Sequence, residues 1–234
     1  MRARPWSDVP RSALLVLAAA LALQLAWPGG RARPAPAPAP IRPPPSGALL
    51  RVASLGEPVA LAKGLMLYLQ GAEGPASLNQ VDYGALRDWL GALLDLDPRG
   101  QYPLLAASEI YAAASDPART RLMLDFVYQR FADDPDRRWP WLAHAALVAR
   151  HRLHDLPLAR RYAQAIRTRT TPGRVPAWAA QLEIFILEDM NEADSARALI
   201  GAMLASGQVR DPNELAFLAR RLQQLSAPPR RPAD

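Results

Sequence analysis

Three histidines offer the first prospect of chemistry. His144 and His151 are seven residues apart, which puts them on one face of a helix, and His154 follows beside Asp155. A zinc ion takes four nitrogen, sulfur or oxygen donors at recognisable spacings. This spacing matches none of them, and histidines near a helix end commonly serve its terminal carbonyls. Carboxylates offer the second prospect. Glu183, Glu188 and Asp189 lie near Phe185, and paired acids can pass protons. The run Glu188-Asp189-Met190-Asn191-Glu192 instead reads as a polar turn. Asp133, Asp134 and Asp136 lack the glycine and the ligand spacing of a calcium loop, so helix termination accounts for them better. Gly71-Ala72-Glu73-Gly74 is followed by no Lys-Ser/Thr and builds no phosphate cradle. The chain has no cysteine, which excludes disulfides, thiolate ligands and cysteine nucleophiles. The expectation is a non-enzyme: no catalytic residue, no metal and no cofactor.

Charge offers a third prospect. The formal charge is +6, the pI is about 10.3, and Lys63 is the only lysine. An arginine excess suits nucleic acid or an acidic lipid surface. It also follows from a GC-rich coding sequence that favours Arg, Ala, Pro and Leu. The basic residues alternate with Asp and Glu, and no nucleic-acid motif accompanies them. A helical protein that binds nucleic acid or an acidic surface through its arginines is therefore the alternative, not the main expectation.

The elements that must position these residues fall into four segments. Residues 1–27 carry Arg2, Arg4 and Arg11, then an apolar run from Ala13 to Trp27 broken only by Gln24, then Pro28-Gly29-Gly30. A basic start, an apolar stretch and a breaker mark an export signal or signal anchor. Trp6 and Trp27 bracket the stretch as interfacial aromatics would. Proline follows the small residues that a signal peptidase would need, so an uncleaved single-pass anchor in the inner membrane is expected, with the body periplasmic. Residues 28–47 are Pro- and Ala-rich and predict a stiff extended spacer that holds the body away from the bilayer. Residues 226–234 predict a disordered tail.

Residues 48–225 repeat at an offset of 37: Asp97-Pro98 becomes Asp134-Pro135, Trp141 becomes Trp178, and Ala159-Arg160 becomes Ala196-Arg197. Between these marks the apolar residues have helical spacing. Leu86, Trp89, Leu90, Leu93 and Leu94 form one stripe; Leu124, Val127, Tyr128 and Phe131 the next. Ala159, Tyr162, Ala163 and Ile166 follow, then Ala196, Leu199, Ile200, Met203 and Leu204. Partner helices carry Val59, Ala62, Met66 and Leu69; Leu104, Ala107 and Tyr111; Trp141, Ala145, Val148 and Ala149; Trp178, Leu182, Phe185 and Ile186. Pro58, Pro103, Pro117, Pro140, Pro176 and Pro212 suit the first turn of a helix. Asp116, Asp155 and Asp211 suit N-caps. The prediction is all-α: four antiparallel helix pairs over 57–96, 100–133, 137–169 and 175–206, then a closing helix over 212–225. That helix would show Arg220, Arg221, Gln223 and Gln224 to water.

These pairs resemble tetratricopeptide repeats. Asp97-Pro98 and Asp134-Pro135 fall where that family closes its second helix, and Trp141 and Ala145 match its aromatic and small positions. Trp178 with Leu182 departs from the pattern. Ser54-Leu55-Gly56 and Leu96-Asp97-Pro98-Arg99 are similar to segments of a group of bacterial membrane-anchored tetratricopeptide-like proteins. The resemblance implies a right-handed α-solenoid and a scaffold or adaptor of the cell envelope.

Such a stack binds peptides or helices on the surface of its first helices, and arginines there select acidic partners. The candidate partner-binding residues are Glu109, Trp139, His144, Arg150, Gln181 and Glu183. Trp139 is the aromatic expected at a repeat boundary; Trp89, Trp141 and Trp178 are expected in the core.

Overall fold

The computed structural model describes residues 11–26, 41–73 and 81–226, and among them there is helix and no strand. The chain divides into two compact units, Met1–Ala39 and Pro40–Asp234. Trp6, Trp27, the Ala-Pro spacer up to residue 40 and the tail after Ser226 lie outside the described residues.

The first unit contributes α1 (Arg11–Ala26). After Arg11 it carries no charge, and Leu15, Val16, Leu17 and Leu21 are all exposed. At about 1.5 Å per residue it is roughly 24 Å long, against a bilayer core of about 30 Å. No single described helix is long and apolar enough to cross a membrane.

The second unit opens with α2 (Gly47–Ala53), capped by Ser46, whose hydroxyl accepts from the Leu49 amide. Four helix pairs follow. The first is α3 (Pro58–Glu73) with α4 (Tyr83–Leu96). The second begins at α5 (Tyr102–Leu105), continues as a π turn (Ala106–Ile110) and a 3-10 turn (Tyr111–Ala113), and returns as α6 (Pro117–Phe131). The third is α7 (Pro135–His151) with α8 (Leu156–Arg169). The fourth is α9 (Ala177–Ala180) and α10 (Leu182–Asp189) with α11 (Ala193–Ala205), and α12 (Pro212–Ser226) packs on α11.

Asp116, Asp155 and Asp211 cap as expected: their carboxylates accept from the amides of Ala118 at 2.9 Å, Leu158 at 3.0 Å and Asn213 at 2.7 Å. Asp82, unforeseen, caps α4 through the Gly84 amide at 2.8 Å. Pro58, Pro103, Pro117 and Pro212 all sit at helix starts. Pro140 does not. The helix begins at Pro135 and runs through it, giving up one bond to the Asp136 carbonyl.

The predicted stripes form the core. Leu86, Leu90, Leu93, Leu94, Leu124, Val127, Phe131, Ala159, Tyr162, Ala163 and Ile166 are buried in one continuous cluster. Ile184, Leu187, Ala196, Ile200 and Leu218 form a second cluster that holds the last pair and α12. Two of the expected core residues are corrected. Val59 is 42 % exposed and Trp178 is 51 % exposed. Trp178 stands on the short α9, where the break at Gln181 takes it off the stripe of α10.

Successive pairs are joined by two series of polar contacts. Among second helices, Arg130 of α6 reaches Asp95 of α4 at 3.0 Å, and Tyr162 of α8 donates to Asp125 of α6 at 2.9 Å. Arg160 of α8 donates to Glu192, before α11, at 3.2 Å. Among first helices, Gln70 of α3 donates to the Tyr102 hydroxyl. Trp141 of α7 donates to Gln101, before α5, at 2.7 Å, and Arg150 of α7 pairs with Asp189 of α10.

The arginines also serve carbonyls at helix ends and turns. Arg152 donates to the carbonyls of Ala112, Ala113 and Ala114, where the second pair's first arm ends. Arg138, 2 % exposed, donates to the Arg130 and Pro98 carbonyls and to Asp133. Arg197 donates to the Leu225 carbonyl at 2.7 Å. A guanidinium has five donors in a rigid fork and an ammonium three on a compact head. That geometry suits the near-exclusive use of arginine in this chain. Arg221, expected in water, instead reaches back to Glu188.

Candidate partner-binding site

The first helices leave a cleft between α3, the end of α4 and the start of α5. Its apolar wall is Ala62, Met66, Leu67, Leu93 and Pro103; Lys63, Gln70, Asp97, Gln101 and Tyr102 form the polar rim. Its volume is about 490 Å³. Met66 faces the cleft because α3 turns Ala62, Met66 and Leu69 toward α4. Pro103 sits there because it opens α5, where its missing N–H is no loss. The Gln70–Tyr102 and Trp141–Gln101 bonds fix the rim. Beyond the cleft, Glu109 and Ile110 are exposed on the second pair's first arm. An apolar trough with a few fixed polar groups accepts a side chain or an amphipathic helix face.

The six sequence-derived candidates do not form one cluster. Glu109 is exposed on the π turn, and His144 is half-buried midway along α7. Trp139 is half-buried, its ring edge-on to Trp178 with centroids 5.5 Å apart. Arg150, three turns further along α7, is held by Asp189. Gln181 and Glu183 are corrected as surface residues, being 5 % and 2 % exposed. Gln181 donates to Glu214 at 3.0 Å, tying α12 to the fourth pair. Glu183 accepts from Arg167 at 2.9 Å, with Arg160 at 3.7 Å. A buried carboxylate needs this kind of pairing.

The perturbed titrations lie at joints of the fold. The Thr171 amide holds the Asp136 carboxyl below the ordinary range. Burial alone would raise Asp155, but the Leu158 amide and Arg121 outweigh it and keep the carboxyl low. Burial, then Asp125, pushes the Tyr162 hydroxyl up. Arg161 lies over the Tyr128 ring at 4.4 Å, and its hydrogen bond to Tyr128 raises it. Each of these groups bridges two elements.

His151 ends α7, and His154 lies in the following loop at a φ of 51°. Among the described residues no group of three or more His, Asp or Glu side chains could hold a metal ion.

No sequence period encodes the cleft, because its residues come from three segments. One signal was available. Between Pro58 and Gln70, α3 carries a single charge, Lys63, so it is apolar on more than the face it buries.

Compared with known proteins, the chain matches no family model, no curated protein and no solved structure.

Proposed function

We propose that this chain is a non-enzymatic protein–protein interaction scaffold or adaptor of the bacterial cell envelope. In this reading its helix pairs form a right-handed α-solenoid of the tetratricopeptide type. Helix α1 is a single-pass inner-membrane anchor whose apolar stretch extends to Trp27, and the body lies in the periplasm. The partner is a protein segment, an acidic peptide or helix, held on the first-helix surface.

One observation carries the reading: the first helices are bonded to one another in order, and an apolar cleft with a fixed polar rim opens between the first two. Bonds between successive like helices are what a solenoid requires. Lys63 on the rim favours an acidic segment. The nucleic-acid alternative finds less support. Arg130, Arg138, Arg152, Arg160, Arg167, Arg197 and Arg221 are engaged with carbonyls or carboxylates of the chain itself.

The test is site-specific photocrosslinking in membranes. A photoreactive residue replacing Tyr102 is expected to give a discrete protein adduct, and one replacing Gln129, exposed on α6, is expected to give none. Adducts from neither position, or the same adducts from both, would remove the first-helix surface as the binding site.

A further inference from the structure

Helix α3 buries Ala62, Met66 and Leu69 against the body. Its opposite side shows Ala60, Gly64, Tyr68 and Gly71 to solvent, with Lys63 and Leu67 at the border that it shares with the cleft. Leu67 is 70 % exposed and Tyr68 is 68 % exposed. The same end of the body continues through Val52 and Leu55, 73 % and 91 % exposed. Among the described residues nothing covers it at two points: no atom lies within 4 Å of a Cβ built on Gly64 or Gly71. An uncovered apolar face of this kind marks a contact with another phase or molecule.

We propose that the outer face of α3 lies in the headgroup region of an anionic lipid bilayer. The proposal rests on the anchoring of α1 put forward above. Three observations select lipid. First, residues 41–73 contain Arg42, Arg51 and Lys63 against Glu57 and Glu73, and Lys63 borders the face as a cation that complements anionic headgroups. A long ammonium stem beside an apolar stripe snorkels to that level. Second, the tether from α1 ends on the first pair. Ile41 packs on the core and the Arg42 carbonyl accepts from Trp89 at 2.7 Å. Fourteen residues, 27 to 40, separate it from α1, a distance of at most about 50 Å however they run. Third, α2 and α3 together are apolar enough for a broken membrane span, but they bend by 107°. That bend, with the inner face of α3 occupied by the body, directs the pair into the membrane plane, not across it.

The chain has no cysteine, so single cysteines take a nitroxide label without background. Full-length Tyr68→Cys, Leu17→Cys and Gln129→Cys proteins are labelled and reconstituted in mixed phosphatidylcholine and phosphatidylglycerol vesicles. Accessibility to oxygen and to a water-soluble nickel complex is then read. Residues 17 and 68 are expected to favour oxygen over nickel, with residue 68 the shallower, and residue 129 the reverse. Omitting phosphatidylglycerol is expected to raise nickel access at 68 and leave 17 unchanged. Free nickel access at 68 with 17 embedded would overturn the lipid contact and leave the anchor standing. Free access at both would overturn the anchor as well. Protection of 68 from both reagents, relieved in a Gly64→Ala, Gly71→Ala background, would overturn lipid in favour of a close-packed helix, either a second copy or another protein.

Discussion

Helices α3 and α8 are both built on apolar stripes, and they treat their outer faces in opposite ways. Helix α8 buries Leu158, Ala159, Tyr162, Ala163, Ala165 and Ile166 and turns Arg161, Gln164, Thr168 and Arg169 outward. Its charges are then used: Arg160 and Arg167 reach Glu183, and Arg161 covers Tyr128. Helix α3 buries three residues and leaves Leu67 and Tyr68 outside with one lysine. A water-facing surface helix needs one apolar stripe of limited width. Helix α8 fits that description and α3 exceeds it. The difference places the solvated, arginine-stitched part of the molecule in the later pairs and the open apolar end at the first pair.

The largest effects should separate the two faces by stability alone. Phe131→Ala removes a side chain with no exposure from the main cluster and is expected to cost about 3–5 kcal/mol in chemical denaturation. Leu67→Ala, on the open side of α3, should cost less than about 0.5 kcal/mol. Comparable losses would mean that α3 is covered within the chain. Arg138→Met comes next. It strips donors from the Arg130 and Pro98 carbonyls and from Asp133, and an expected loss of about 2–3 kcal/mol should appear in the same assay. The matching change at Arg87, which pairs with its exposed neighbour Asp88, should be nearly silent.

Tyr162→Phe should cost about 1 kcal/mol through the lost bond to Asp125, and it should change the pH profile. The native hydroxyl is raised, so the folded protein keeps its proton while the unfolded chain releases it near the ordinary value of about 10. Stability is therefore complete below that value and falls as pH rises beyond it. Urea midpoints across this alkaline range should fall less steeply for Tyr162→Phe. The smallest effect has the opposite sign. Gly64→Ala has open space around it and should stabilise α3 by up to about 1 kcal/mol. Gly91→Ala on α4 should gain little, because its new methyl would meet Arg130 Nη2 at 3.1 Å and disturb that residue's bond to the Gly91 carbonyl.

The same contrast explains what could be read in advance. The stripe of α8 and the caps at Asp116, Asp155 and Asp211 are local signals, set by helical period and by the geometry of a short carboxylate. They were legible. The start of α7 was not, since Pro135 and Pro140 both suit a first turn. The choice involves Arg138, whose partners Pro98 and Asp133 lie outside that helix. Gln181 and Glu183 looked like surface residues because their partners, Glu214, Arg167 and Arg160, belong to other helices. Trp178 followed the repeat in sequence but left it in space, where the break at Gln181 interrupts the helix. The cleft and the linking arginines depend on contacts more than thirty positions apart in the chain, which no periodicity encodes.

The central claim is that the helix pairs follow one another in a row, each bonded to the next. Pairwise spin-label distances test it most directly. One label replaces Arg87 on α4, and the second replaces Gln129 on α6, Gln164 on α8 or Ala198 on α11, all exposed positions. The distance should lengthen at each step from α6 to α8 to α11. An α11 label no farther from α4 than the α6 label would mean that the helices close around a common centre, and the proposed row would be wrong.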